Sequence, residues 1–124
     1  MVEFAIVLPL LLVLVLGIVE FGRAYSLKTS LQAAALEGAR ELALGEDASE
    51  VEAAVTGATP YDGLTISQVP CPDEGEDDAE VTVVREFTFL PALGNVLSIL
   101  PGGGGSGSFG TIDISATGVM RCGL

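Results

Sequence analysis

From Phe4 to Val19 the chain reads FAIVLPLLLVLVLGIV, an uncharged apolar run closed at its two ends by Glu3 and Glu20. A helix apolar on every side must be buried on every side, and a chain of 124 residues has too little else to cover it. Roughly 20 apolar residues cross a bilayer core, so the run is slightly short for a comfortable crossing. The apolar part of a secretion signal is the competing reading. Against it, no basic residue precedes the run, no small-x-small cleavage site follows, and the helical pattern continues.

Beyond Glu20 come Phe21, Gly22, Arg23, Ala24 and Tyr25, with Tyr25 suited to a membrane–water interface. Leu27, Leu31, Ala34, Ala35, Gly38 and Leu42 then recur at three- and four-residue spacing, with Lys28, Gln32, Arg40 and Glu41 largely off that stripe. The spacing predicts one helix from the N-terminus to about Leu44, stopped by Gly45, on the order of 65 Å long. Pro9 removes one backbone hydrogen bond near Ala5 to Leu8. It reads either as a tolerated membrane proline or as a loosened turn that lets subunits pack in a curved polymer. Glu20 and Arg23 lie three apart and are placed either to pair with each other or to reach a neighbour.

Composition divides along the chain. Seventeen acids against five bases give a net charge of -12, yet 49% of residues are hydrophobic, most densely at the front. So acidic a chain is a poor partner for nucleic acid, whose phosphates need Lys and Arg. Cys71 and Cys122 lack the close pairing of a zinc site. They are either a disulfide or two free thiols. A bond closing a loop of roughly 50 residues would contribute about 4 kcal/mol in the chain-entropy model and would imply an oxidising compartment.

The part after Gly45 reads as a small α+β head. Ser49 with Glu52 three residues on fits a capping box for a short helix over about Ala48 to Thr56, with Val51, Ala54 and Val55 on its apolar face. Thr59-Pro60-Tyr61-Asp62-Gly63 is a turn. Leu64–Val69, Ala79–Phe89 and Thr111–Met120 alternate or are rich in β-branched residues, which predicts three strands. Between the last two, Leu93, Val96, Leu97 and Ile99 suit a helical turn, and Gly102 to Ser108 a flexible loop. The expected fold class is α+β. A long N-terminal helix packs through Leu27, Leu31, Ala34 and Leu42 on a small antiparallel sheet of about three strands. Residues 1–25 form the membrane or filament-core helix, and 26–124 form the exported head.

The stretch VEFAIVLPLLLVLVLGIVEFGRAY, followed by LQAAALEGAREL and, at the other end, VMRCG, resembles the TadE-like family of pilins and pseudopilins. The resemblance implies a lollipop-shaped type IV pilin of the Tad kind. Such a subunit is anchored in the inner membrane, extracted by pilus assembly machinery, and added to copies of itself in a helical extracellular filament. In that family the fifth residue of the mature chain is a glutamate. The matching residue here is Glu3, two positions early, with no leader glycine before it. The resemblance implies that Glu3 sets assembly register by pairing with the N-terminal amine of the next subunit. On physical grounds alone it equally suits a helix-N-terminal acid in the headgroup layer. The filament-core side chains would be Phe4, Ile6, Val7, Leu8, Pro9, Leu10, Leu11, Leu12, Leu14 and Leu16, with Ala5, Gly17, Gly22 and Ala24 permitting close helix approach.

Catalytic chemistry finds little footing. With no histidine, His-based triads and His metal sites are excluded, and the run Gly102–Gly105 is not followed by the lysine of a phosphate loop. In the acidic stretch DEGEDD, Asp73, Glu76, Asp77 and Asp78 are a weak calcium candidate; such runs are usually solvated loops. The expectation is a structural, non-enzymatic subunit without a cofactor. The alternatives are a membrane-tethered minor pseudopilin or envelope protein outside the fibre body, and a secreted ligand- or calcium-binding domain.

Overall fold

The computed structural model describes residues 1–72, 77–91, 95, 96, 99 and 111–122. Its elements are α1 (Val2–Ala43), α2 (Ala48–Gly57), β1 (Thr65–Val69), β2 (Asp78–Thr88) and β3 (Thr111–Arg121). The chain divides into two compact units, one of Met1–Tyr25 with Phe87–Ile112 and one of Ser26–Glu86 with Asp113–Leu124.

In the second unit, the Ser26–Ala43 part of α1 packs on a three-stranded antiparallel sheet of order β1-β2-β3, the α+β arrangement expected from the pattern. Thr65 pairs with Val84 and Val69 with Glu80. The apolar stripe of α1 is fully used. Leu27, Leu31, Ala34, Ala35, Ala39 and Leu42 are buried, and they meet Val51 and Val55 of α2, Ala79, Val81 and Val83 of β2, and Ala116 of β3. The β2 set falls at every second residue, the period of a strand with one face inward. Val84, Arg85 and Thr82 fall between or beyond these and are only half-buried.

Small residues set the helix–sheet distance. A Cβ on Gly118 would overlap backbone atoms of Ala35 and Leu36, so β3 crosses α1 with main chain against main chain. A Cβ on Gly38 would lie 2.5 Å from Cγ2 of Val55 and 3.2 Å from Cγ1 of Val81. Lys28 reaches over to donate through Nζ to the Ser115 carbonyl of β3.

The long helix stops where its sequence says. Gly45 has φ +91°, its N–H donates to the Leu42 carbonyl, and Glu46 N–H donates to the Glu41 carbonyl. These two bonds form a Schellman motif, whose left-handed residue favours glycine. The start of α2 differs from the capping box read at Ser49. Asp47 is the N-cap: its Oδ1 accepts the Glu50 N–H at 2.9 Å and the Ser49 hydroxyl at 2.7 Å. Ser49 lies two residues too deep to cap, because the helix already begins at Ala48. Its hydroxyl serves the cap as a donor. Those bonds, the one from Ser49 first, hold the Asp47 carboxyl below its ordinary pKa. Glu46 moves the other way, raised by a hydrogen bond with Glu50 and then by the Glu50 charge.

Cys71 and Cys122 are joined in a disulfide with Cα atoms 5.9 Å apart, within the usual range. Beside it the Cys122 N–H donates to the Asp77 carbonyl, so the end of β3 is tied to the residue before β2. Ser30 and Thr59 share a hydroxyl–hydroxyl hydrogen bond of 2.7 Å. Arg85 holds the turn after α2 by donating through Nε to the Asp62 carbonyl at 2.8 Å and lying 5.1 Å over the Tyr61 ring.

In the first unit α1 is helical from Val2 through Pro9 without interruption. Pro91, Asn95, Val96 and Ile99 are helical too. Leu93, Leu97 and the glycine-rich stretch Gly102 to Ser108 fall outside the described residues.

Candidate functional site

Among the described residues, little covers the apolar half of α1. Phe4, Ile6, Val7, Leu8, Leu10, Leu11, Leu12 and Leu14 are all exposed, Phe4 to 71%, and only Pro9, Val13, Leu16 and Gly17 are half-buried. None of the most apolar window of the helix is buried, and the helix is long and apolar enough to cross a membrane. Each such side chain left in water forgoes about 1.5–3 kcal/mol of burial. An exposed apolar surface of this extent marks a place of contact with lipid or with protein. The sheet-packed half of α1 differs because its apolar residues are confined to one stripe and that stripe is filled.

Glu3 sits in the first turn of α1, where a carboxylate is favoured by the helix dipole. It is exposed, and among the described residues no ion-pair partner reaches it.

The other end of the run holds a feature that spacing alone showed only in part. Glu20 is 3% exposed, and both of its carboxylate oxygens are engaged. Oε1 accepts from Arg23 Nη1 at 2.8 Å, and Oε2 accepts from the Leu90 N–H at 3.1 Å. The Arg23 guanidinium also lies 5.2 Å over the ring of Phe87, which in turn meets Phe89 edge-on at 5.3 Å. An ionised carboxylate tolerates burial when its lone pairs are occupied and a cation is adjacent, and here both conditions hold. The Glu20–Arg23 pair was legible from the three-residue spacing; the buried setting and the bond from Leu90 were not.

Of the acidic stretch, Asp77 and Asp78 are exposed, while Asp73 and Glu76 lie outside the described residues. Among the described residues, no group of three or more carboxylate, cysteine or histidine side chains is placed to hold a metal ion.

Residues 1–40 match the family model described as TadE-like protein. The matched stretch takes in the apolar run, the Glu20–Arg23 pair and most of the buried stripe of α1. No curated protein and no solved structure matches the chain.

Proposed function

We propose that this chain is a structural pilin-like subunit whose apolar helix half first anchors it in a membrane and then packs against copies of itself in an extracellular filament. The observation that carries the reading is the division of α1 into an uncovered apolar half and a half whose stripe is filled by its own sheet. The TadE-like match over residues 1–40 supports a pilus-related role. The disulfide supports an oxidising compartment for Cys71 and Cys122.

Membrane to filament is an exchange of one apolar environment for another, so hydrophobic burial alone does not drive it. Packing between helices and specific polar pairs decide it, as they do between membrane helices. Gly17 and Gly22 suit this role: a Cβ on either would meet nothing within 4 Å in the single chain, so a neighbour's backbone is free to approach there. Glu3 supplies the polar pair in this reading, because a carboxylate moved into an apolar core gains most from an opposite charge, and the N-terminal amine of an adjoining subunit is one. Its role is to fix axial register. The function proposed is mechanical, with no catalytic step and no cofactor.

Fractionation of cells carrying wild-type, Glu3→Gln and Leu11→Arg chains tests the reading. Wild-type chain is expected in both the membrane and the sheared-fibre fractions. Glu3→Gln should remain in the membrane and be depleted from fibres, and Leu11→Arg should be depleted from both. Wild-type chain confined to the membrane would contradict the filament role and leave a tethered subunit.

A further inference from the structure

A filament of this chain brings like charges together. The residues beyond Tyr25 carry all of the acids but Glu3 and Glu20, and all of the bases but Arg23. Copies so acidic repel one another, and their approach needs opposite charges set face to face at the contact. Two of the bases beyond Tyr25 are used inside the chain: Lys28 donates to the Ser115 carbonyl, and Arg85 lies over Tyr61 and 3.8 Å from Asp62. Among the described residues, Arg40 and Arg121 enter no ion pair. Arg121 still faces a carboxylate of its own sheet. The Thr82–Thr117 hydroxyl bond and the bond from Cys122 N–H to the Asp77 carbonyl set a register that puts it across from Asp78.

Arg40 has a different setting. Leu36, Arg40 and Leu44 are four residues apart and follow one line along the helix, which reaches Leu44 through the bond from its N–H to the Arg40 carbonyl. Leu36 is 50% exposed and Leu44 61%, and Arg40 between them is exposed. An arginine among exposed apolar side chains has the composition of a contact between proteins.

A matching surface lies on α2 and the turn that follows it. Pro60, Leu64 and Ile66 line a groove of about 430 Å3, and Glu52 and Asp62 line it too. Asp62 has Arg85 beside it, whereas Glu52 is exposed and has no cation within reach among the described residues. Apolar walls with one uncompensated carboxylate complement an arginine flanked by leucines. The two surfaces are separate: α2 turns Ala54, Gly57 and Ala58 to a hollow it shares with α1, and Glu52 and Thr56 to the groove. A ridge and a groove that do not coincide give a head-to-tail contact, which leaves one of each free on every added copy and so propagates.

We propose that Arg40, flanked by Leu36 and Leu44, docks into the groove of a neighbouring copy and pairs there with Glu52. The inference rests on the filament proposed above, and it adds a contact between heads to the packing of the apolar helix halves.

Exchanging the two charges tests the pair. Full-length Arg40→Glu, Glu52→Arg and the double variant carrying both would each replace wild-type chain in cells, and the chain would be quantified in membrane and sheared-fibre fractions. Both positions are exposed, so each variant should match wild type in the membrane. Each single variant is expected to be lost from fibres, and the double variant to return to them. Glu52→Arg separates the pair from diffuse repulsion, because it makes the chain less acidic and would raise fibre yield if overall charge alone mattered. An unchanged or higher yield in either single variant, or a double variant no better than the singles, would overturn the pair while the filament stands. Wild-type chain missing from fibres would overturn the filament and the pair together. Where a swapped variant is lost from the membrane as well, crosslinking decides: a chain with Arg40→Cys and Glu52→Cys should give a ladder of disulfide-linked multimers in oxidised fibres, and monomers alone would count against the contact.

Discussion

Glu20 is the residue on which the arrangement of the first unit turns, since its two oxygens serve one side-chain cation and one backbone donor. Removing Arg23 leaves a buried carboxylate with one partner. Because Arg23 is itself 45% exposed, the cost of Arg23→Ala falls well below that of a fully buried pair, at about 1–3 kcal/mol. Glu20→Ala instead strands the Leu90 N–H. The expected sign is faster deuterium uptake in the segment around Leu90 in both variants, read by mass spectrometry in detergent; unchanged uptake would mean the bonds contribute nothing. Gly118 makes a different demand. Gly118→Ala places a methyl on the backbone of Ala35, and a main chain has no rotamer with which to yield, so a loss of about 1–3 kcal/mol is expected in thermal unfolding. At Gly38 the obstacle is a valine methyl, and a helical alanine regains up to ~1 kcal/mol of propensity, so Gly38→Ala should be the milder change. The sequence showed Glu20 near Arg23, because helix geometry is local. It did not show Leu90 or Ala35 opposite their partners, because those contacts join positions far apart along the chain.

Among the elements, α1 and the three strands were readable with boundaries shifted by one residue or so, since each has a strong period and a clear breaker such as Gly45. The start of α2 was less legible. Asp47 and Ser49 are both good capping residues two positions apart, and only the backbone decides between them: Asp47 is extended (φ -75°, ψ 168°). The cap carries a pH dependence. A carboxyl held below its ordinary pKa adds stability that is complete above the unfolded value and is lost as pH falls through the folded one. Glu46, raised mainly by Glu50, has the opposite sign: its contribution is present below its unfolded pKa and fades as pH rises through the folded value. On acidification Glu46 therefore takes up its proton first, and the Asp47 cap fails only at lower pH. Helical Cα chemical shifts of Ser49 to Val51 should persist through the ordinary carboxylate range and decline below it. Asp47→Asn, which keeps an acceptor but does not titrate, should abolish that decline. The disulfide belongs to this scale too, closing a loop with a sequence separation of 51 across two strands. Cys71→Ser with Cys122→Ser is expected to lower stability by about 2–5 kcal/mol, measured by denaturant unfolding of the oxidised and variant chains.

For the molecule as a whole, one helix meets two requirements. Its C-terminal half completes a core with α2 and the sheet, and its N-terminal half presents an apolar surface that the described residues leave largely uncovered. That division was visible in the sequence as a change from continuous apolarity to a three-and-four stripe. The bond that ties Leu90 to Glu20 was not legible, because it is a tertiary contact between positions far apart along the chain. The central claim is that the uncovered half of α1 becomes the core of a polymer of this chain. Electron cryo-microscopy of fibres sheared from cells tests it most directly. The account predicts thin helical fibres whose density fits this chain, with Phe4 to Leu16 at the axis and the Cys71–Cys122 bond resolved. Fibres built from another protein, or from this one with that segment facing solvent, would contradict it.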